Sequence, residues 1–416
     1  MKRTRGRRWP AYARALLAIP FVALAADPVS PIQPVVQKMV DDGIVAGAVA
    51  LVADKNEVLV LDAVGYARLS TKKPMADDAV FWIASMSKSL TGTALMMLVD
   101  EGKLRLEDPV EHYLPEFKGQ QVKDADGALH PPAHPITVRE IMSHTSGLVL
   151  ANEKALKRVY TLKENAADYA AWPLRQEPGT KYEYNNCGIN TGGRIIEVVS
   201  GLAYADFMRQ HLFEPLGMKD TTFWPDAQQA DRLAHSARLN AGKTGLEEVN
   251  LDKHVTPEAI AKFSEGVPVP RAIIGEMGFG ISFSYGKRYG EPAGGFFSTA
   301  RDLGTFCRML LRGGELDGKR FLSEAAAKVM ASSQTLGVPV SPSESYGVGW
   351  SVKLKADEGP SVGSFGHRGA RRPAMWIDPD NGLVMIILVE RFDMNGEEQK
   401  QLYGPFMKAA VTAFGT

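Results

Sequence analysis

The chain has 416 residues, of which 45% are hydrophobic and 23% are charged, as in ordinary globular proteins with room for two or three structural units. Its 48 basic residues balance its 48 acidic ones, and basic residues cluster only near the N-terminus, which argues against nucleic-acid binding. No later segment approaches about eighteen consecutive apolar residues, so no stable membrane span is expected.

The first 26 residues have the pattern of a secretory signal peptide. Six basic residues precede an apolar stretch at 15–24, and small residues close the segment at Ala25 and Ala26. Removing six basic and no acidic residues from 48 of each would leave a net charge of −6. The pair Arg7-Arg8 is a feature of twin-arginine export signals, but its flanking residues fit such a signal poorly. We expect an exported protein that is periplasmic or extracellular after cleavage.

Helix and strand patterns follow the signal segment. Ser30-Pro31 begins a helical pattern that Gly43 ends, and two β-rich runs at 46–53 and 57–64 predict a hairpin. Another helical pattern follows Ser85 and stops at Gly102.

The middle of the chain differs from its two ends. Residues 102–291 mix helix and loop, with helical patterns near 138–142, 190–199, 204–212 and 257–263. The C-terminal part predicts strands at 346–353, 361–367, 373–377 and 383–389, a turn at 380–382, and a last helix at 396–413. The expected architecture is one α/β domain, from residues 27–101 and 292–416, with an inserted, mainly helical domain at 102–291.

Ser85 and Lys88 form the strongest chemical pattern in the sequence. They lie three residues apart where the apolar run at 81–84 meets a helix, so they share one helix face and the ammonium can reach the hydroxyl. The positive end of the helix dipole would favour an alkoxide there. The pair can therefore supply a nucleophile without a neighbouring histidine.

Other candidate motifs have simpler interpretations. Ser-x-x-Lys also occurs at Ser70, where Pro74 indicates a turn, and at Ser284, in a glycine-rich stretch without helical pattern. The Gly-x-Ser-x-Gly run around Ser361 lacks the strand before it and the helix after it that a nucleophile elbow needs. His130 and His134 lie in a proline-rich loop, so no metal site is expected.

Two later triplets accompany the Ser85 motif. Tyr184-Asn185-Asn186 lies between a Pro-Gly turn and a helix, and His367-Arg368-Gly369 is followed by Ala370 on a C-terminal strand. The motifs Ser-x-x-Lys, Tyr-x-Asn and His-x-Gly follow one another in this order along the chain. On these motifs the chain resembles the serine β-lactamase and penicillin-binding-protein superfamily. The similarity is to its branch of class C β-lactamases, D-peptidases and family VIII carboxylesterases. Further similar segments begin at the following residues: Leu104, Ser143, Glu214, Gly294 and Tyr346.

The resemblance implies a role for each motif residue. Ser85 would be the nucleophile, and Lys88 with Tyr184 would take its proton as a coupled pair. Asn186 would bind the lysine or a substrate carbonyl. The backbone N–H groups of Ser85 and Ala370 would form the oxyanion hole, with Gly369 beside it. His144, in the segment that begins at Ser143, is interpreted as a structural residue beside a turn.

The third triplet departs from the β-lactamase pattern. Class C enzymes carry Lys-Thr-Gly there, whereas D-peptidases and some esterases carry His-x-Gly. An imidazole at His367 would hold a substrate carboxylate less firmly than an ammonium, which lowers the expectation of efficient β-lactam hydrolysis. Arg368, Arg371 and Arg372 put guanidinium groups near the same place, and at least one of them is hypothesised to bind an acidic substrate group. Simple solvation of these arginines is an equal alternative.

These expectations define a serine hydrolase with a β-lactamase/transpeptidase-like fold, an antiparallel sheet flanked by helices. Small carboxylic esters or related acyl compounds are the leading substrate class. A D-amino-acid-specific peptidase or β-lactamase is the alternative, and a non-catalytic peptidoglycan-binding protein is the minority alternative. No cofactor and no obligatory protein partner are implied. Cys187 and Cys307 could pair in an exported protein or remain buried thiols.

Overall fold

The computed structural model describes residues 30–149, 161–249 and 290–416. Its strands in chain order are β1 (Gly47–Ala53), β2 (Val58–Arg68), β3 (Lys73–Pro74), β4 (Phe81–Trp82), β5 (Val122–Lys123), β6 (Leu129–His130), β7 (Ala237–Leu239), β8 (Leu246–Glu248), β9 (Phe297–Ser298), β10 (Glu315–Leu316), β11 (Lys319–Arg320), β12 (Glu344–Tyr346), β13 (Ser351–Lys353), β14 (Phe365–Arg368), β15 (Ala374–Asp378) and β16 (Leu383–Leu388). Eight of them form one antiparallel sheet in the order β12-β13-β14-β15-β16-β1-β2-β3.

Helices flank this sheet, and helices together with loops and short strands make up the described part of the middle of the chain. They are α1 (Gln33–Asp41), α2 (Ser87–Asp100), α3 (Val110–Tyr113), α4 (Val138–Met142), α5 (Leu162–Ala170), α6 (Asn186–Ser200), α7 (Tyr204–Met208), α8 (Glu214–Leu216), α9 (Ala227–Asp231), α10 (Ala300–Leu311), α11 (Glu324–Met330) and α12 (Gly396–Phe414). None of the helices within these described ranges is long and apolar enough to cross a membrane.

The sheet is buried on both faces. Along β1, Ala48 and Ala50 face a cluster formed with α1 and α12, whereas Val49 and Leu51 face a larger cluster that includes α2, α6 and α10. Successive side chains of a strand point to opposite faces, so one short apolar strand serves both cores. The N- and C-terminal parts of the chain meet in the centre, where β1 pairs with β16.

The strand prediction for residues 346–353 is wrong. The structure forms two strands there, β12 and β13, which pair across a turn with Tyr346 opposite Ser351. Gly349 has φ +77°, and a Cβ atom there would collide with the backbone carbonyl of Lys88, so this position favours a turn without a side chain.

Other boundaries shift less. The helix expected at 190–199 begins at Asn186, because the side chain of Asn185 accepts a 2.9 Å hydrogen bond from the N–H group of Gly188. The predicted turn at 380–382 connects β15 and β16, as expected. The helical pattern at 257–263 lies outside the described residues. Cys187 and Cys307 are buried free thiols.

Candidate active site

Ser85 lies in a 3₁₀ turn, Ala84–Met86, between β4 and α2. Ala84 has φ +48°, a left-handed conformation that non-glycine residues rarely adopt. The turn is held from both sides, since the N–H group of Ile83 donates to the carbonyl of Phe296 at 3.0 Å and that of Met86 donates to the carbonyl of Ile83 at 3.1 Å. Backbone strain of this kind is typical of positions where the surrounding fold fixes a reactive side chain.

Lys88 lies on the first turn of α2 and is fully buried. Its Nζ is 3.1 Å from the hydroxyl of Ser85 and 2.7 Å from the carbonyl oxygen of Ala293. The same Nζ is 4.8 Å from the centre of the Tyr184 ring. The structure therefore brings together the three side chains that the sequence selected for nucleophile and proton transfer.

Hydrogen bonds with two buried side chains hold the backbone around the carbonyl of Ala293, and no motif in the sequence predicted them. The N–H group of Ala293 donates to Oδ1 of Asn190 at 3.0 Å, and Thr91 donates to the carbonyl of Pro292 at 2.8 Å. Asn190 is buried on α6 and Thr91 is buried on α2. The backbone that receives Lys88 is thus fixed by side chains of two helices.

Tyr184 immediately precedes the cap of α6. Its side chain is 41% exposed, at the open side of the site, while Asn185 is buried as the N-cap residue. Asn186 is the first residue of the helix and is partly buried. The capping function of Asn185 was missed, although an Asn before a helical pattern is a typical N-cap signal.

His367 lies on β14 and uses both ring nitrogens inside the protein. Nδ1 donates to the carbonyl of Arg368 at 2.8 Å, so Nε2 is an acceptor, and it receives the hydroxyl of Tyr346 at 2.9 Å. Burial, followed by the nearby charge of Lys88, lowers the pKa of His367 to about 3. The imidazole is therefore uncharged at neutral pH.

A tight turn follows β14. The N–H group of Gly369 donates to the carbonyl of Pro373 at 2.7 Å, and that of Arg372 donates to the carbonyl of Gly369 at 2.9 Å. A Cβ atom on Gly369 would lie 2.7 Å from the carbonyl oxygen of Ile83, two residues before Ser85. Glycine lets this turn approach the nucleophile segment, and Ala370 is exposed at its tip.

The three arginines point in different directions. Arg368 lies on the face of β14 opposite His367, stacks near the rings of Trp376 and Tyr403, and pairs with Glu344 at 3.0 Å. The structure does not bring its side chain together with Ser85 and Lys88.

Arg371 and Arg372 also separate. Arg372 donates to the carbonyl of Met394 at 3.0 Å, on the side of α12. Arg371 lies 5.7 Å from the ring centre of Trp82. Its guanidinium also lies over the ring of Phe392, 2.9 Å from the ring centre. The indole N–H of Trp82 donates to the carbonyl of Gly294 at 2.6 Å, next to Ala293, so Trp82 connects the surroundings of Arg371 to the segment that binds Lys88.

The structure describes two of the other serine motifs, those at Ser70 and Ser361. Ser361 bonds to Asp378 and precedes a strand, not a helix. Ser70 lies in the turn before β3, and Ser284 lies outside the described residues. Among the residues that the structure describes, no group of three or more His, Cys, Asp or Glu side chains could hold a metal ion.

Comparison with known proteins agrees with this geometry. The family model described as Beta-lactamase matches residues 32–404. Protein Rv1367c of Mycobacterium tuberculosis is 28% identical over 386 residues, which are 86% of this chain and 89% of that protein. Esterase EstB of Burkholderia gladioli is 32% identical over 191 residues, 42% of this chain and 47% of that protein.

Solved structures share the whole fold. EstCE1, described as a hydrolase with promiscuous acyltransferase activity, aligns with a TM-score of 0.74 and 25% identity over 92% of this chain and 97% of that one. The fold is thus β-lactamase/transpeptidase-like, with an antiparallel sheet, flanking helices and a helical insertion, as the sequence predicted.

Proposed function

The chain belongs to the beta-lactamase family and is a serine hydrolase of that family, and we propose that it hydrolyses small carboxylic esters through an acyl-enzyme on Ser85. Ser85 Oγ gives its proton to the Lys88–Tyr184 pair as it attacks the ester carbonyl carbon, and the pair passes that proton to the alcohol as the ester bond breaks. Water then gives a proton to the pair as it attacks the acyl carbon, and the pair returns that proton to Ser85 Oγ as the bond between the acyl group and Ser85 breaks and the acid leaves. The 3.1 Å approach of Lys88 to Ser85 supports the first proton transfer.

The state of His367 is the observation that favours esters over β-lactams and D-peptides. Those two substrate classes carry a carboxylate, which a cation at this motif would hold. His367 is uncharged, and both of its nitrogens are engaged with Tyr346 and the Arg368 carbonyl. A neutral imidazole without a free donor gives a carboxylate no anchor, whereas a neutral ester does not need one.

The aromatic lining of the site supports the same substrate class. The ring centres of Tyr182 and Tyr346 lie 6.0 Å apart, and those of Tyr184 and Tyr346 lie 6.5 Å apart. Burial holds the pKa of the Tyr182 and Tyr346 phenols well above the ordinary value, so both remain neutral. Tyr346 is buried beneath the other two rings, and the exposed Tyr184 ring with the partly buried Tyr182 ring suits an apolar acyl or alcohol group. Relatives described as esterases are consistent with this proposal.

Export is a separate part of the proposal. It rests on the basic, apolar and small-residue pattern of residues 1–26. N-terminal sequencing of protein recovered from the periplasm or medium should begin at or near Asp27. Recovery of the full-length chain from the cytoplasm alone would contradict it.

Three substrates of different classes test the proposed reaction. We expect the mature protein to hydrolyse p-nitrophenyl butyrate with a kcat/KM at least about 100-fold above that for nitrocefin or a peptide ending in D-Ala-D-Ala, since a missing charged contact costs several kcal/mol. Ser85→Ala should abolish all turnover. A preference for nitrocefin or the peptide would contradict the ester assignment, and absence of any turnover would favour a non-catalytic binding protein.

A D-peptidase or β-lactamase remains the second candidate because of Arg371. Its guanidinium lies between Trp82 and Phe392, and Trp82 contacts the segment next to Ala293, so this cation is the nearest candidate among the three arginines for holding a substrate carboxylate. Arg371→Ala should be compared on p-nitrophenyl butyrate and on the p-nitrophenyl monoester of succinic acid. A loss confined to the carboxylated ester would support this candidate, whereas equal losses on the two esters would exclude a carboxylate-binding role.

A further inference from the structure

His144 holds the backbone on both sides of Tyr184. Its carbonyl oxygen accepts the N–H group of Glu183 at 2.8 Å, and its ring Nδ1 accepts the N–H group of Asn185 at 3.3 Å. One residue therefore makes hydrogen bonds to the two neighbours of Tyr184 in the chain. These bonds fix the path of the backbone that carries the phenol.

The ring of His144 also packs directly against that phenol. The ring centres of His144 and Tyr184 are 4.4 Å apart, and those of His144 and Tyr346 are 4.6 Å apart. His144 is 1% exposed, so its ring cannot leave this place without opening the site. We infer that His144 is a positioning residue that fixes the Tyr184 phenol beside Lys88. This inference rests on the proposed role of Tyr184 in proton transfer.

The hydrogen bond from Asn185 determines the tautomer of His144. Because Nδ1 is an acceptor, the ring hydrogen is on Nε2, which has no hydrogen-bond partner among the described residues. A second hydrogen, on Nδ1, would break the bond to Asn185.

The surroundings of His144 keep its ring neutral. Burial comes first, and the nearby Lys88 and then His367 add to it, so the pKa of His144 lies well below its ordinary value. The other groups that face the ring are the phenols of Tyr182, Tyr184 and Tyr346. A neutral imidazole is the state that the contact with Asn185 requires.

The backbone of His144 allows a matched pair of substitutions. Residue 144 has φ +62°, a conformation in which Asn is among the more readily tolerated residues. The Asn side-chain oxygen can replace Nδ1 as acceptor for the Asn185 N–H group, whereas the longer Gln side chain places its amide near the position of Nε2. His144→Asn should thus keep the acceptor for the Asn185 N–H group, and His144→Gln is the comparison that should lose this acceptor.

The acylation step is the readout, measured as the p-nitrophenol burst with p-nitrophenyl acetate in stopped flow. We expect His144→Gln to slow acylation about tenfold or more, because small misplacements of catalytic groups have effects of this size. His144→Asn should remain within about threefold of wild type, since it keeps the acceptor. KM should change little in either variant. Circular dichroism and thermal unfolding establish that each variant is folded.

Tyr184→Phe separates failure of this inference from failure of the proposed function. If His144 acts through Tyr184, adding His144→Gln to Tyr184→Phe should cause little further loss. If the rate losses of the two single variants multiply in the double variant, the positioning role alone is overturned. Equal acylation rates for His144→Asn and His144→Gln would overturn it as well. A Tyr184→Phe variant as fast as wild type would overturn the role of Tyr184 and the inference with it. If His144→Gln does not fold, a tenfold loss in His144→Asn is the overturning result.

Discussion

The Lys88 ammonium donates a 2.7 Å hydrogen bond to the carbonyl oxygen of Ala293, which lies 205 residues later in the chain. The contact joins α2, which carries Lys88, to the segment before β9. Because Lys88 is fully buried, the position of this carbonyl sets the position of the ammonium relative to Ser85. We therefore expect the residues that hold Ala293 to contribute to catalysis without touching the substrate.

Asn190→Ala tests this dependence. The substitution removes the acceptor of the buried Ala293 N–H group, which should lower the free energy of unfolding by about 1–3 kcal/mol. The freed carbonyl should let Lys88 move, so kcat on a p-nitrophenyl ester should fall about tenfold or more. Urea unfolding and steady-state kinetics measure the two effects. The control is Asn56→Ala in an exposed turn, and unchanged kcat in Asn190→Ala would refute the dependence.

Tyr346→Phe tests the hydrogen bond that fixes His367. Loss of the hydroxyl leaves the buried Nε2 acceptor without its donor, so we expect the free energy of unfolding to fall by about 1–3 kcal/mol. Tyr66→Phe is the control, because Tyr66 is 36% exposed and its substitution should stay within about 0.5 kcal/mol. Equal unfolding midpoints for the two variants in urea would argue against a structural role for this bond.

Gly92→Ala tests the close packing of α2. A Cβ atom there would lie well inside contact distance of the carbonyl oxygen of Val348. Alanine normally stabilises a helix by about 1 kcal/mol relative to glycine, whereas here we expect a net loss of about 1–3 kcal/mol from overpacking. Ester hydrolysis should fall too, because α2 carries Lys88.

Gly396→Ala is the matched control for this helix substitution. Gly396 begins α12, and no atom lies within 4 Å of the position its Cβ would occupy. We expect its melting temperature and activity to equal those of wild type. A Gly92→Ala variant that is as stable as this control would show that α2 can move away from Val348 without cost.

Glu390 should make stability depend on pH. Burial raises the pKa of this carboxyl to about 8, and Arg371 offsets part of the increase. Between about pH 4.5 and 8 the folded protein keeps a proton that the unfolded chain has lost, so stability should fall as pH rises through this window. In Glu390→Gln this part of the fall should disappear, a difference of at least about 1 kcal/mol between pH 5 and pH 8.

Urea unfolding at several pH values measures this difference. Glu358→Gln is the control, since its side chain is 80% exposed and the substitution should leave the wild-type pH dependence intact. The same slope in wild type and Glu390→Gln would mean that the buried carboxyl titrates as it does in the unfolded chain.

The sequence predicted the sheet and the reactive side chains because their signals are local. Continuous β-rich apolar runs predicted β1, β15 and β16, and the start of a helix predicted the contact of Ser85 with Lys88. The carbonyl of Ala293 could not be predicted in this way, because a backbone acceptor leaves no mark in the side-chain pattern. The contact arises only when distant segments fold together.

The orientation of Arg368 was not predicted, although it follows from the position of this residue on its strand. Neighbouring residues of a strand point to opposite faces, so placing His367 toward Ser85 places Arg368 toward α12. The hydrogen bond between Tyr346 and His367 could not be predicted from the sequence, because it depends on the register of β12, β13 and β14.

The most direct test of the central claim is the mass of the mature protein, acid-quenched during turnover of p-nitrophenyl butyrate and then mapped by peptide fragmentation. The account predicts one butyryl group on Ser85 in wild type and none in Ser85→Ala, which should also be inactive. Turnover that persists in Ser85→Ala, or an acyl group on another residue of an active enzyme, would contradict it.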